Sequence, residues 1–133
     1  MRAYYASPYA SHLISKDAAV RDAMRALTRL PGWLKPVLHV NEVRAREHCV
    51  WSPLIQGQIM LRQHGPIVCN ERAMLKWCLW NLEHRFDTLI LSNTIPRKPG
   101  WGRNGMDAEQ ALACDLGHRI MLETEVWEML GGP

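Results

Sequence analysis

The residues with the most capacity for chemistry lie between positions 100 and 120, GWGRNGMDAEQALACDLGHRI. Gly100, Gly102 and Gly105 frame Trp101, Arg103 and Asn104, and Glu109 follows four positions after Gly105. Glycine allows a backbone to approach a ligand closely. A carboxylate just inside a helix can serve as a nucleophile, or it can simply complement the helix N-terminus. Asn104 is a good N-cap, and Asp107 and Glu109 are acids that any helix start favours, so the pattern alone leaves both readings open. Arg97, Lys98 and Arg103 gather in the same loop. A local basic patch of this kind suits a small anionic ligand, because a long polyanion requires a broad basic face.

Other constellations give less. The six histidines (12, 39, 48, 64, 84 and 118) show no HExxH and no pairing at i, i+4, and Cys49, Cys69, Cys78 and Cys114 show no CxxC, so no metal site is expected. Cys78 and Cys114 fall in amphipathic patterns and read as small core residues. Ser7 and Ser52 each precede a proline at a strand end, which suits a turn better than a nucleophile elbow. No Walker A sequence or GxGxxG occurs. The chain has 133 residues, 47% hydrophobic and 22% charged, with a net charge of +3. These values fit one globular domain over 1–133 and are too weakly basic for a dedicated nucleic-acid binder. No run approaches the roughly 20 apolar residues of a membrane span, and MRAYYASPYASH has no signal-peptide core. A soluble, cytoplasmic protein is expected.

The elements that must hold the loop and Glu109 are legible in outline. AYYA (3–6) is a short strand stopped near Pro8. Ser15 caps a helix whose face is read as Val20, Ala23, Met24, Leu27 and Leu30, ending at Pro31–Gly32. Residues 35–47 are ambiguous: the charges at the end favour a second helix, but Val37, Leu38, Val40 and Val43 fit neither period. HCVW (48–51) reads as a buried strand, 54–63 as a short helix, and Asn70 as the cap of a helix through Leu82 to Arg85. DTLILS (87–92) is a strand covered on both faces. The loop 93–104 exceeds the ~2–6 residues usual between strand and helix. A helix at 105–117, a strand RIML and a terminal helix with Val126 and Leu130 inward complete the chain. Alternation of strand and helix predicts an α/β fold with a parallel sheet. Ligands of such folds bind at the strand carboxyl ends, here SPY, SPL and the 93–104 loop.

In this order and spacing, YYASPY, WSPL and the Gly-x-x-x-Glu helix start resemble the nucleoside 2-deoxyribosyltransferase-like superfamily, most closely its small bacterial and phage branch. The likeness runs from about residue 3 to 122. It implies a flavodoxin-like three-layer sandwich with a short parallel sheet of four to five strands. It implies cleavage or transfer of the N-glycosidic bond of a deoxynucleoside or deoxynucleotide, with no cofactor and with assembly into dimers or larger oligomers. By the same resemblance Glu109 is the nucleophile, Tyr4 orients it, and Ser7, Pro8 and Tyr9 line the crevice. Ser52 stands at a second strand end, Gly105 lets the backbone near the sugar, and Trp101 offers a surface for a base.

Two departures bear on substrate and activity. The family's acid for the leaving base lies eight residues before the strand's own aspartate, and counting back from Asp87 reaches Leu79. Six residues before the nucleophile, where the family has Asp or Ser facing the 5′ end of the sugar, stands Arg103. Arginine pairs bidentately with phosphate, which favours a nucleotide over a free nucleoside. The competing expectation is a non-catalytic nucleotide-binding or sensing module on the same fold.

Overall fold

The computed structural model describes residues 1–99 and 105–132. Their central feature is a five-stranded, all-parallel sheet in the order β2-β3-β1-β4-β5. The strands are β1 (Arg2–Ala6), β2 (Lys35–Val37), β3 (Cys49–Trp51), β4 (Thr88–Leu91) and β5 (Arg119–Leu122). The helices are α1 (Lys16–Arg29), α2 (Pro53–Val68), α3 (Glu71–Arg85), α4 (Gly105–Leu116) and α5 (Glu123–Trp127), with a 3-10 turn at Val40–Ala45. This is the expected three-layer α/β architecture. The ambiguous stretch 35–47 resolves into the short edge strand β2 and the 3-10 turn.

Alternation along each strand divides the core in two. Ala3, Tyr5, Val50, Ile90 and Met121 face a layer built with Ala23, Ala26, Leu27 and Val126. Tyr4, Ala6, Cys49, Trp51, Leu89 and Leu91 face the other, built with Leu82, Phe86, Met106 and Ala113. In the middle of the sheet Tyr4 pairs in register with Trp51 on one side and Leu89 on the other. Chain direction reverses about β1: the chain first builds β2 and β3 on one side and then β4 and β5 on the other. The switch point therefore lies between β1 and β4, where an open α/β sheet leaves a crevice at its carboxyl edge.

Several expectations need correction. The inward face of α1 is Ala18, Ala19, Ala23, Ala26 and Leu27, about one residue round from the face read in the sequence, and Met24 is 53% exposed. The small residues win because they let the helix approach the sheet. Helix α2 runs to Val68 rather than 63, passing Pro66 with a kink at Gly65, whose φ of 80° suits glycine. Cys114 is exposed because Met106, Glu109 and Ala113 take the inward stripe of α4. Leu130 is 89% exposed, since α5 ends at Trp127 and leaves it beyond the last turn.

Candidate functional site

The carboxyl edge is organised by two loops. Residues 7–15 follow β1 and residues 92–99 follow β4, and they are tied to each other. The Leu13 N–H donates to Pro96 O (3.1 Å), the Lys98 N–H donates to Ser11 O (2.7 Å), and His12 bridges Arg97 in antiparallel fashion. His12 is buried beneath this junction. Its Nδ1 accepts from the Ile14 N–H (3.0 Å), which leaves Nε2 to donate to Asp22 at 2.7 Å. A histidine in this role is a strut for the loops.

Glu109 lies on the inward stripe of α4 and is only 7% exposed. It projects toward the face of the sheet that carries Tyr4, which is completely buried. The Tyr4 ring is fixed edge-on by Trp51 (5.5 Å) and Phe86 (5.6 Å), and Trp51 in turn stacks on Phe86. Among the described residues neither Tyr4 Oη nor Glu109 Oε2 has a hydrogen-bond partner at close range, although both atoms are inaccessible to solvent. The two groups nevertheless perturb each other. Burial pushes the Glu109 carboxyl up to about 7, a rise partly offset by the Tyr4 hydroxyl. Burial, then the Glu109 charge, then Cys78 hold the Tyr4 phenol well above its ordinary range. The Cys78 thiol is pushed up to about 12, by burial first and Glu109 second. Burial thus works against the ionised form of Glu109 that a helix start favours.

An orphaned polar atom inside a core costs roughly 1–3 kcal/mol, so adjacent ones call for an explanation. Two further buried hydroxyls stand at the carboxyl ends of β1 and β4: Ser7 Oγ and Ser92 Oγ have no close hydrogen-bond partner among the described residues. They follow Ala6 and Leu91, which are paired in register, and the Ser92 N–H donates to Ala6 O at 2.9 Å. The Ser92 hydroxyl acts on Tyr5, on the face of the sheet opposite Tyr4 and Glu109. Chemically, Glu109 and Tyr4 can hold or move a proton and exchange hydrogen bonds with a polar ligand.

The other sequence candidates fall into place as follows. Pro8 is buried in the turn after β1. Tyr9 Oη accepts from Gln58 Nε2 (2.9 Å), and its ring lies under Lys16 Nζ at 5.3 Å. Ser52 is 2% exposed and spends its hydroxyl capping α2, accepting from the Ile55 N–H at 3.4 Å. Gly105 opens α4. Trp101, Arg103 and Asn104 lie outside the described residues. Leu79 is half-buried on α3, and its neighbour Cys78 is the residue of that helix that interacts with Tyr4 and Glu109. Sequence reasoning took Cys78 for core filling and passed over Ser92. Glu109 had a usable signal, since Met106, Glu109 and Ala113 recur at helical spacing and only one of the three is charged. Among the described residues no group of acids, histidines and cysteines could hold a metal ion, and no helix is long and apolar enough to cross a membrane. Compared with known families, curated proteins and solved structures, the chain matches none.

Proposed function

We propose that the chain cleaves or transfers the N-glycosidic bond of a deoxynucleoside 5′-phosphate, with Glu109 as nucleophile and Tyr4 as its orienting partner. The observation that carries the reading is the unpartnered, buried Oε2 of Glu109 beside the unpartnered Oη of Tyr4. A carboxylate oxygen left without a close partner is available to attack, and burial raises the basicity of its group. In the forward step, ionised Glu109 bonds to the anomeric carbon while the carbon–nitrogen bond to the base breaks and the base takes the electron pair. Water, or a second base, then attacks the same carbon and releases Glu109. Arg103, six residues before Glu109, is the residue suited to the 5′-phosphate.

The departing base must gain a proton. Helix α3 presents Leu79 at the spacing expected for the acid, with Cys78 beside it. This observation favours the second reading, a nucleotide-binding or sensing module that does not turn over. One experiment separates them. The protein is incubated with a panel of deoxynucleoside monophosphates, and free base and thermal shift are both measured. Base release that disappears in Glu109→Gln supports the enzyme. Thermal stabilisation without base release, unchanged in Glu109→Gln, supports the module. No release and no shift from any nucleotide removes both.

A further inference from the structure

Across the sheet from Glu109, helix α1 and the loop after β4 border a cavity of about 140 Å³. Asp22, Arg25 and Arg29 line it from α1, and residues 94–96 line it from the loop. Ala26, also in its wall, and Ile95 belong to the core layer of Tyr5, not to that of Tyr4. Positions 22, 25 and 29 fall about one turn apart on the helix, so the three charged side chains share one face. Arg25 and Arg29 repel each other at this spacing. Among the described residues neither guanidinium has a carboxylate in salt-bridge contact. The carboxylates of this region are already engaged: Asp22 Oδ2 accepts from His12 Nε2 at 2.7 Å, and Glu123 accepts from Tyr5 and Thr94. Burial raises the Tyr5 phenol and the Arg29 charge works against that rise, which puts Arg29 within electrostatic reach of the clasp.

The loop adds donors. The N–H groups of Thr94 and Ile95 donate to no described residue, and Ile95 is only 8% exposed. A backbone N–H kept from water calls for an acceptor, and two in succession form the kind of concavity that takes an anion. Two guanidiniums and two N–H groups around a cavity of this size suit one tetrahedral oxyanion, not an extended polyanion. Asp22 narrows the choice. Its Oδ2 is held by His12, which leaves Oδ1 to accept. A carboxylate in the wall repels an oxyanion that has no proton and accepts a hydrogen bond from one that has. Phosphate keeps a proton at neutral pH, and sulfate does not.

We propose that this cavity binds inorganic phosphate, held by Arg25, Arg29 and the N–H groups of Thr94 and Ile95, with Asp22 accepting from the protonated oxygen. Bound there, the ion fastens the loop after β4 to α1. The inference is independent of the chemistry assigned to Glu109. The test is calorimetric titration of the full chain with phosphate, sulfate and phenyl phosphate, at neutral pH and constant ionic strength. Phosphate is expected to bind, and sulfate to bind at least roughly tenfold more weakly. Arg25→Gln and Arg29→Gln should each weaken phosphate roughly tenfold, and the two together roughly a hundredfold. Arg21→Gln removes the same charge from α1 outside the cavity and should change binding by less than about twofold. All three arginines are exposed, so far-ultraviolet circular dichroism should show each variant folded. Absence of phosphate binding overturns the proposal. So does binding that is indifferent to Arg25→Gln and Arg29→Gln, or that falls as far with Arg21→Gln. Sulfate binding as tightly as phosphate would remove Asp22 from the site and with it the choice of phosphate. Phenyl phosphate binding more tightly than phosphate would overturn the assignment to the free ion and give the cavity to the phosphoryl end of a larger molecule.

Discussion

Tyr4 and Tyr5 are consecutive on β1, point to opposite faces of the sheet, and each approaches a buried glutamate. On the α5 side the pair is closed. Tyr5 Oη donates to Glu123 Oε1 at 2.6 Å, and Thr94 Oγ1 donates to both carboxylate oxygens at 3.1 and 3.0 Å. The adjoining residues extend the clasp, since Asn93 Nδ2 donates to Thr124 Oγ1 (2.8 Å) and the Thr124 N–H donates to Asn93 Oδ1 (3.3 Å). On the α4 side the pair is open: Tyr4 Oη and Glu109 Oε2 are equally buried and have no close partner among the described residues. The same two side-chain types therefore do different work. A satisfied Tyr–Glu pair fastens a loop to a helix. An unsatisfied one leaves a buried carboxylate and phenol without close partners at a cost in stability, of the kind folds sustain where a ligand or reaction uses the group.

The largest expected difference between the two is in activity. Glu109→Gln should lower base release from a deoxynucleotide by about a thousandfold or more, as loss of a nucleophile does. Glu123→Gln should leave the rate within about tenfold once the protein is folded. Equal losses would dissolve the contrast. The second difference is in stability and runs the other way. Glu123→Ala leaves Tyr5 Oη and Thr94 Oγ1 without their acceptor inside the core, and should cost about 3 kcal/mol in urea unfolding. Glu109→Gln at pH 8 should cost nothing or stabilise, because it removes a desolvated charge. A destabilisation by Glu109→Gln matching that of Glu123→Ala would make Glu109 a structural acid.

How much of this contrast could be read in the sequence depends on how far each interaction reaches along the chain. The layers were legible because strands such as TLIL and the stripe on α4 are local patterns. As candidates, Glu109 stood out by its distance to Gly105, and Tyr4 only through the family resemblance. Glu123 was not: it stands with Glu125 and Glu128 in an acidic tail, and its burial is set by Tyr5, 118 positions away, and Thr94, 29 away. Ser7 and Ser92 are adjacent only because β1 and β4 pair. The edge strand β2 escaped notice because three residues are too few for a period to emerge. Helix α3 was recognised as a helix, but the exposure of Leu75 and Trp80 was hidden within a pattern that reads as core.

The third expectation concerns pH. Glu109 has a folded-state value of about 7 against an ordinary 4.5. A carboxyl whose value is raised by folding binds its proton more tightly in the native state. Its contribution is fully present below about pH 4.5 and is lost as pH rises through 7. Stability should therefore fall across that window by about 3 kcal/mol on this account, and the difference between wild type and Glu109→Gln should isolate it. Base release should rise over the same range, since attack needs the ionised form. A flat difference between the two unfolding profiles would mean that the carboxyl is solvated in solution.

The smallest and most discriminating expectation compares the tyrosines directly. Tyr5→Phe deletes a donor to a buried carboxylate and should cost about 1.5–2 kcal/mol. Tyr4→Phe deletes a hydroxyl that has no partner, while the ring keeps its contacts with Trp51 and Phe86. It should change stability by less than about 0.5 kcal/mol, or raise it slightly. On the proposed reading its effect falls on catalysis, where losing the group that orients Glu109 should lower base release by roughly tenfold to a hundredfold. Urea unfolding of both variants, with base release from the same preparations, decides the matter. If Tyr4→Phe costs as much stability as Tyr5→Phe, Tyr4 Oη is hydrogen-bonded in solution and the two faces of β1 are alike. If Tyr4→Phe leaves both stability and base release unchanged, Tyr4 is an aromatic of the core and Glu109 acts without it.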